Sequence, residues 1–165
     1  MPLIPFEKLP DDSRCWVFAA LAPLDDVDEP RLLAAVDGYL ITWKAHGAAL
    51  TSAREFKDEF FLAVGVDEGA SDASGCSIDG LFRNLQKIED GIGTSMVGGG
   101  QVYFRAPGGL VTSCTRPQFE AMAAMGDIGA DTMVFDTTVT TVGAYRKQFE
   151  IKARDSWHKE LLKKK

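Results

Sequence analysis

Hydrophobic and polar positions recur with periods that change along the chain, and these changes predict the order of strands and helices. A continuous apolar run over residues 15–21 is rich in aromatic and β-branched side chains, as in a strand buried on both faces. Acidic residues at 25–29 then favour a helix start, and apolar residues spaced by three and four predict an amphipathic helix over 30–45 that stops at Gly47. The chain is therefore expected to open with a strand followed by a helix.

The next apolar segments predict a hairpin and a second helix. Residues 50–56 alternate weakly, whereas residues 60–66 are almost wholly apolar, so we expect two paired strands with the second one central. The second helix is predicted after residue 75 by one stripe of apolar side chains. That stripe consists of Ile78, Leu81, Phe82, Leu85 and Ile88.

A fourth strand at 101–105 follows the glycine turn at 98–100, which gives the order strand, helix, strand, strand, helix, strand. This is the split βαβ arrangement of ferredoxin-like α+β folds. We therefore expect a single α+β domain in three parts. They are an extended lead-in at 1–12, a ferredoxin-like βαββαβ core at 13–106, and an α/β extension at 107–165.

The extension is predicted to contain the partner strand of a hairpin, one further strand and three helices. The strands are expected at 110–114 and 132–135, and the helices at 117–125, 140–149 and 155–162. Pro117 suits the first turn of its helix. The last three residues are lysines, which a helix dipole favours at a C-terminus, so we expect a solvated end and not a nucleic-acid tail.

Composition narrows the classes of partner. The chain has 165 residues, of which 24 are acidic and 18 basic, and its net charge is −6 at neutral pH. Because this charge repels phosphate backbones and anionic membranes, we expect no nucleic-acid partner and no membrane association. No signal-like segment opens the sequence and the three cysteines are widely spaced, so we expect a cytoplasmic protein with reduced thiols. Cys15 and Cys114 fall in predicted strands and are expected to be packed as hydrophobic residues.

Chain direction in this fold brings two chemically active residues together. If the first strand runs up, the first helix runs down and ends with His46 at the bottom edge of the sheet. The second strand then runs up and the third down, so the second helix begins with Cys76 at that same edge. We therefore expect His46 and Cys76 to lie at one edge of the sheet, although they are distant in sequence.

The segment around Cys76 has the features of a reactive thiol site. Unpaired N–H groups and the positive dipole end at a helix N-terminus lower the pKa of a thiol, and a nearby imidazole can take its proton. In the hypothesised site, Cys76 is the nucleophile, an imidazole is the base and Asp79 orients that imidazole. The full set consists of the catalytic residues Cys76, His46, Asp79 and His158 and the substrate-binding residues Trp43, Ser77 and Trp157.

Each of these residues also has a purely structural explanation. Cys76 can be a small, partly buried residue, Ser77 an N-cap and Asp79 a partner of the helix dipole. Trp43 and His46, which share one helix face at i and i+3, can fill the core and cap the helix end. These alternatives stay open at the level of the sequence.

Motifs for known cofactors are absent from the sequence. There is no G-x-x-x-x-G-K-S/T loop, no G-x-G-x-x-G, no C-x-x-C, no H-E-x-x-H and no G-x-S-x-G, so no cofactor is assigned. A zinc site would need Cys76, His46, His158 and a carboxylate such as Asp79. That set is chemically acceptable, but its spacing matches no known zinc signature.

Several segments resemble a family of small bacterial proteins, frequent in Bacteroidetes, that carry the name "ABC transporter ATPase". The likeness covers nearly the whole chain and is most specific in its Gly-Cys-Ser-Ile-Asp and Ser-Trp-His segments. The segments begin at Pro5, Trp43, Gly75, Val134 and Ser156. The resemblance implies a bacterial protein and favours a functional role for the Trp/His and Cys/Asp segments. The family name conflicts with the absence of a Walker A loop, so ATPase activity is not expected.

Three functions are consistent with these features. The first is a small-molecule pocket with a Cys/His/Asp site for acyl or thiol transfer. The second is a non-catalytic binding module or a homodimer that pairs an exposed sheet face or edge. The third is a structural metal site formed by Cys76 and the histidines.

Overall fold

The computed structural model describes residues 3–45, 47–67, 75–92, 95–96 and 99–162. This part of the chain forms a mixed α+β fold with two antiparallel sheets and a short two-stranded ribbon. The strands are β1 (Arg14–Ala19), β2 (Lys44–Ala45), β3 (Ala48–Ala49), β4 (Thr51–Lys57), β5 (Phe61–Asp67), β6 (Val102–Arg105), β7 (Val111–Cys114), β8 (Met133–Phe135) and β9 (Glu150–Lys152). The α-helices are α1 (Asp28–Ile41), α2 (Gly75–Glu89), α3 (Arg116–Ala124) and α4 (Val142–Gln148).

The first sheet has the strand order β1-β5-β4. Its central strand β5 is buried over six of its seven residues, as its continuous apolar sequence predicts. The helices α1 and α2 cover one face of this sheet, where Phe18 packs edge-on against Phe82 and Trp16 against Trp43. On the opposite face Tyr145 of α4 donates a hydrogen bond of 2.6 Å to Glu55. The sheet is therefore covered on both faces.

The second sheet has the strand order β7-β6-β8-β9. A smaller core forms against it, and α3 contributes the fully buried Phe119. The N-terminus of α3 is fixed by a capping box, in which the Thr115 hydroxyl accepts from the Gln118 N–H and the Gln118 side chain accepts from the Thr115 N–H. Phe61 of the first sheet contacts Phe135 of the second at 4.7 Å between ring centroids, so the two sheets share an aromatic contact.

The strand predicted at 101–105 does not lie beside β1, and this corrects the expected βαββαβ core. The observed β6 pairs with β7 and β8 in the second sheet. Val102 and Phe104 face the smaller core, whereas Tyr103 faces the larger one and donates a hydrogen bond of 2.8 Å to the carbonyl of Ala20. Alternate residues of β6 are thus buried in two different cores, so β6 lies between the two sheets' hydrophobic clusters and pairs within the second sheet.

Most of the other predicted boundaries agree with the structure to within a residue or two. The first helix ends at Ile41 and not at residue 45, because the ribbon of β2 and β3 follows it with Gly47 at a φ of 80° in the turn. The helix predicted at 155–162 is instead two 3₁₀ segments, Ala153–Asp155 and Trp157–Leu162. Strand β9 is not predicted by the sequence, because Glu150-Ile151-Lys152 has a single apolar residue and lacks the apolar run that predicts β8. Over the described residues, no helix is both long and apolar enough to cross a bilayer.

Candidate functional site

The chain directions at the predicted site edge agree with the sequence argument. Both β1 and β4 run antiparallel to β5, so α1 ends and α2 begins at the same edge of the first sheet. In the last turns of α1, Tyr39 lies against Gly80 of α2. A Cβ placed on Gly80 would lie only 2.4 Å from the Tyr39 hydroxyl oxygen, so glycine permits this close approach.

The side chains of the hypothesised catalytic set are only partly described. Asp79 is exposed on α2. His46 lies outside the described residues. Cys76 and Ser77 are the second and third residues of α2, but their side chains also lie outside the described part of the chain. Contact between His46 and Cys76 therefore stays a prediction.

Trp43 is part of the larger core. Its side chain is 2% exposed, and its ring lies 6.2 Å from the ring of Trp16 and 6.1 Å from that of Tyr39. Almost all of its surface is therefore used in packing.

The Ser156-Trp157-His158 segment forms a compact cluster in the smaller core. The His158 ring is fully buried, and its Nδ1 shares a hydrogen bond of 2.7 Å with the Ser156 hydroxyl. The Trp157 ring stacks on His158 at 4.0 Å between centroids, and Phe119 lies 5.9 Å from the imidazole. Among the described residues, neither His158 Nε2 nor Trp157 Nε1 has a hydrogen-bond partner.

Burial sets the charge of His158. Removal from water lowers its pKa from 6.5 to about 4, and the Arg116 guanidinium contributes in the same direction, while Asp136 opposes the shift. The imidazole is therefore neutral at neutral pH. Sequence spacing does not reveal the Ser156–His158 pair, because Ser156 lies between two 3₁₀ segments where one continuous helix is predicted.

Two of the three thiols are described, and both are packed as expected. Cys15 and Cys114 are free and buried. Burial raises the pKa of the Cys15 thiol to about 12 and that of Cys114 above its usual value. Within the described part of the chain, no group of three or more His, Cys, Asp and Glu side chains is arranged to hold a metal ion.

A cleft of about 340 Å³ lies beside β1, between the helix layer of the first sheet and the start of β6. This volume falls in the range of small-molecule pockets, about 300–1,000 Å³. The lining residues come from β1, from α2 and from the two segments that precede β6 and α4. They are Arg14, Cys15, Trp16, Val17, Phe18, Ala19, Phe82, Met96, Gly99, Gly100, Gln101, Tyr103, Thr137, Thr138, Val139 and Thr140.

One wall of this cleft is the outer edge of β1. Ala20, just after β1, donates to the carbonyl of Phe60 on the β5 side. Since the N–H and C=O groups of successive residues in a strand point to alternate sides, those of Cys15, Val17 and Ala19 point to the outer side. Cys15 uses this edge to donate a hydrogen bond of 2.9 Å to the carbonyl of Thr140. Val17 lies next along the edge, and among the described residues no hydrogen bond reaches its N–H or C=O.

The lining of the cleft is unusual for an acidic chain. Arg14 is the one charged residue among the described lining residues, which include no carboxylate. Its guanidinium carbon lies 4.7 Å from the centre of the Trp16 ring. No local sequence pattern predicts this cleft, since Arg14 and Thr140, which both line it, are 126 positions apart in the sequence.

A comparison of the chain with protein-family models, curated proteins and solved structures finds no match. The cleft beside β1 and the edge where α1 ends and α2 begins are therefore the two candidate sites.

Proposed function

We propose that this protein is a non-catalytic binding module and that its ligand lies in the cleft beside β1. The observation that carries this proposal is the open edge of β1. Val17 presents an N–H donor and a C=O acceptor within a cleft of ligand size, and no described residue bonds to either. Directional polar groups inside a mostly preformed concave site are what a small-molecule site requires.

The lining chemistry supports a neutral or anionic ligand. Phe82, Met96 and Tyr103 supply apolar and aromatic surface, and Thr138 and Gln101 supply polar groups. Since Arg14 is a cation and carboxylates are absent from the described lining, a ligand carboxylate meets no like charge there.

The test is a fragment screen by NMR on the ¹⁵N-labelled protein, with compounds of small-molecule size. We expect fragments to shift the amides of β1 and of residues 99–101 in a saturable manner. Thr140→Trp places a large side chain at the exposed rim of the cleft and is expected to weaken this binding at least tenfold.

Met125→Trp is the matched control. Met125 is 76% exposed on the C-terminal end of α3 and does not line the cleft, so this variant should bind fragments as the wild type does. Binding that is equal in both variants, or shifts that cluster elsewhere, would contradict the proposal.

The close approach of Tyr39 and Gly80 favours a second candidate function at the edge where α1 ends and α2 begins. In this candidate, Cys76 is the nucleophile of an acyl or thiol transfer, His46 is its base and Asp79 orients the imidazole. We favour His46 over His158 as the base, because His158 is fully buried in the smaller core.

Alkylation by iodoacetamide tests this second candidate inside one molecule. Cys15 and Cys114 are internal controls, since both thiols are buried and have raised pKa values. We expect Cys76 to react at pH 7 at least tenfold faster than a free cysteine does, and His46→Gln to reduce that advantage. Reaction at the rate of free cysteine in both proteins would exclude an activated thiol.

We also propose that the chain belongs to the small bacterial proteins that its Gly-Cys-Ser-Ile-Asp and Ser-Trp-His segments resemble, and that it acts in the cytoplasm. The two described cysteines support the second point, since both are free thiols. Fractionation of the native host is the direct measurement.

A further inference from the structure

The outer edge of β1 is already paired like a sheet at one end, and this pairing sets a register. Arg14 and Thr141 form an antiparallel bridge, in which Cys15 donates to Thr140 and Val142 donates to Ser13 at 2.9 Å each. In an antiparallel pair, two residues forward along one strand correspond to two residues back along its partner. In this register Thr138 would stand opposite Val17.

Thr138 does not take that position. Its N–H donates to Asp136 Oδ1 at 2.9 Å, and its hydroxyl also binds Asp136 Oδ1. The Asp136 side chain thus holds the backbone of Thr138 in a local turn. The ladder that begins at Thr141 therefore stops before Val17, although the edge of β1 continues.

The other end of the same edge is closed. Leu21 donates a hydrogen bond of 3.1 Å to the carbonyl of Ser95, and the Tyr103 hydroxyl donates at 3.3 Å to the carbonyl of Ala19. The open stretch is therefore short and centres on Val17. A long strand from a partner protein does not fit between these two closures, whereas a short segment does.

We propose that the cleft beside β1 takes a short extended peptide, whose central residue occupies the ladder position opposite Val17. The Val17 N–H donates to the carbonyl of the central peptide residue, and the N–H of that peptide residue donates to the Val17 carbonyl. Such strand addition obtains affinity from main-chain hydrogen bonds. This inference rests on the proposed function, because it specifies the ligand of the same cleft.

The peptide contacts follow from the surroundings of Val17. Phe82 lies on the helix side of the cleft and Tyr103 on the side of the second sheet, so flanking peptide side chains meet aromatic surface on both sides. Arg14, near the bridged end, favours a peptide with a carboxylate over one with an amine at that end.

The probes are the capped tripeptides Ac-Ala-Xaa-Ala-NH₂ with Val, Phe, Lys or Glu in the middle, titrated into the ¹⁵N-labelled protein. We expect at least one to shift the Val17 amide in a saturable manner and to slow its hydrogen exchange. N-methylation of the middle residue removes the ligand donor and is expected to weaken binding about tenfold, the equivalent of one hydrogen bond.

Val17→Pro tests the protein side of the same pair. Proline removes the outward N–H but no hydrogen bond to β5, so the sheet is expected to persist. We expect peptide binding to be lost in Val17→Pro and retained in the matched control Val17→Thr. Equal binding of the methylated and unmethylated tripeptides would overturn the inference even if Val17→Pro failed to fold.

Two further outcomes separate the inference from the proposed function. Fragments that bind the cleft while all four tripeptides fail would overturn the peptide ligand and leave the binding module in place. Val17 exchange that slows with protein concentration alone would show that a second copy occupies the edge, and this would also overturn the inference. Failure of both fragments and tripeptides would contradict both proposals.

Discussion

The larger and the smaller core bury ionisable side chains with opposite responses to acid. In the larger core, burial raises the pKa values of Cys15 and Tyr103 to about 12, so both groups stay neutral as the pH falls. In the smaller core, burial lowers the pKa of His158 to about 4, so this side chain acquires a charge in mild acid. Among the described residues, only the smaller core therefore contains a buried side chain that becomes charged as the pH falls.

Replacing a buried phenylalanine of either core by alanine is expected to have the largest effect on the free energy of unfolding. Phe61 contacts Tyr103, Phe135 and Phe149 at ring-centroid distances of 5.2, 4.7 and 5.0 Å, whereas Phe119 packs only within the smaller core. We expect Phe61→Ala and Phe119→Ala each to lower the free energy of unfolding by about 3–5 kcal/mol in urea.

Native-state hydrogen exchange distinguishes the two variants. Phe61→Ala should reduce protection in both sheets, because its ring contacts residues of both, and Phe119→Ala should reduce it mainly in the second sheet. Uniform loss of protection in both variants would show that the two cores open as one unit.

Acid is expected to have the next largest effect. Below pH 6.5 the unfolded chain takes up a proton on His158 that the folded chain does not bind until about pH 4. Stability is therefore lost as the pH falls from 6.5 to 4, by about 3 kcal/mol. Urea unfolding at several pH values measures the slope, which His158→Gln should remove and His46→Gln should leave in place.

The strained hairpin turn between β4 and β5 gives the smallest expected effect. Asp58 and Glu59 have φ values of 56° and 66°, and Phe60 donates to Lys57 across the turn, as in a type I′ turn. Glu59→Gly should stabilise the protein by about 1 kcal/mol in thermal unfolding, since glycine adopts this conformation without strain.

Asp58→Gly is the matched comparison for that turn. It gains the same backbone freedom but loses the ion pair between Asp58 and Arg105, which lies at 3.3 Å and joins the turn to the second sheet. We expect it to be less stable than Glu59→Gly. Equal gains in the two variants would mean that this ion pair contributes nothing measurable.

The pattern of apolar residues predicts most of the strands and helices, and chain direction predicts how the first sheet and its two helices are arranged. The continuous apolar sequence of β5 predicts its central position. The antiparallel strand order predicts that the C-terminus of α1 and the N-terminus of α2 lie at one edge of the sheet. The failure came at β6, where alternate residues are buried on opposite faces by two cores. A single run of apolar residues cannot indicate which of two sheets a strand joins.

The candidate site shows the same limit of local information. The cysteine and histidine segments stand out in the sequence because their residue types are chemically active. The cleft beside β1 depends instead on the N–H and C=O groups of Val17, to which no described residue bonds. The diversion of Thr138 by Asp136 creates the open position opposite Val17. That outcome is a property of two segments distant in sequence, so no motif could have predicted it.

Amide hydrogen exchange in the free wild-type protein tests the open edge of β1 most directly. Trp16 and Phe18 point their N–H groups to β5, whereas Val17 between them points its N–H into the cleft. We predict that Val17 exchanges at least about a hundredfold faster than both neighbours, as expected for an amide without a protein acceptor. Equal protection of all three amides would show that the edge is already paired, and would contradict both the binding cleft and its peptide ligand.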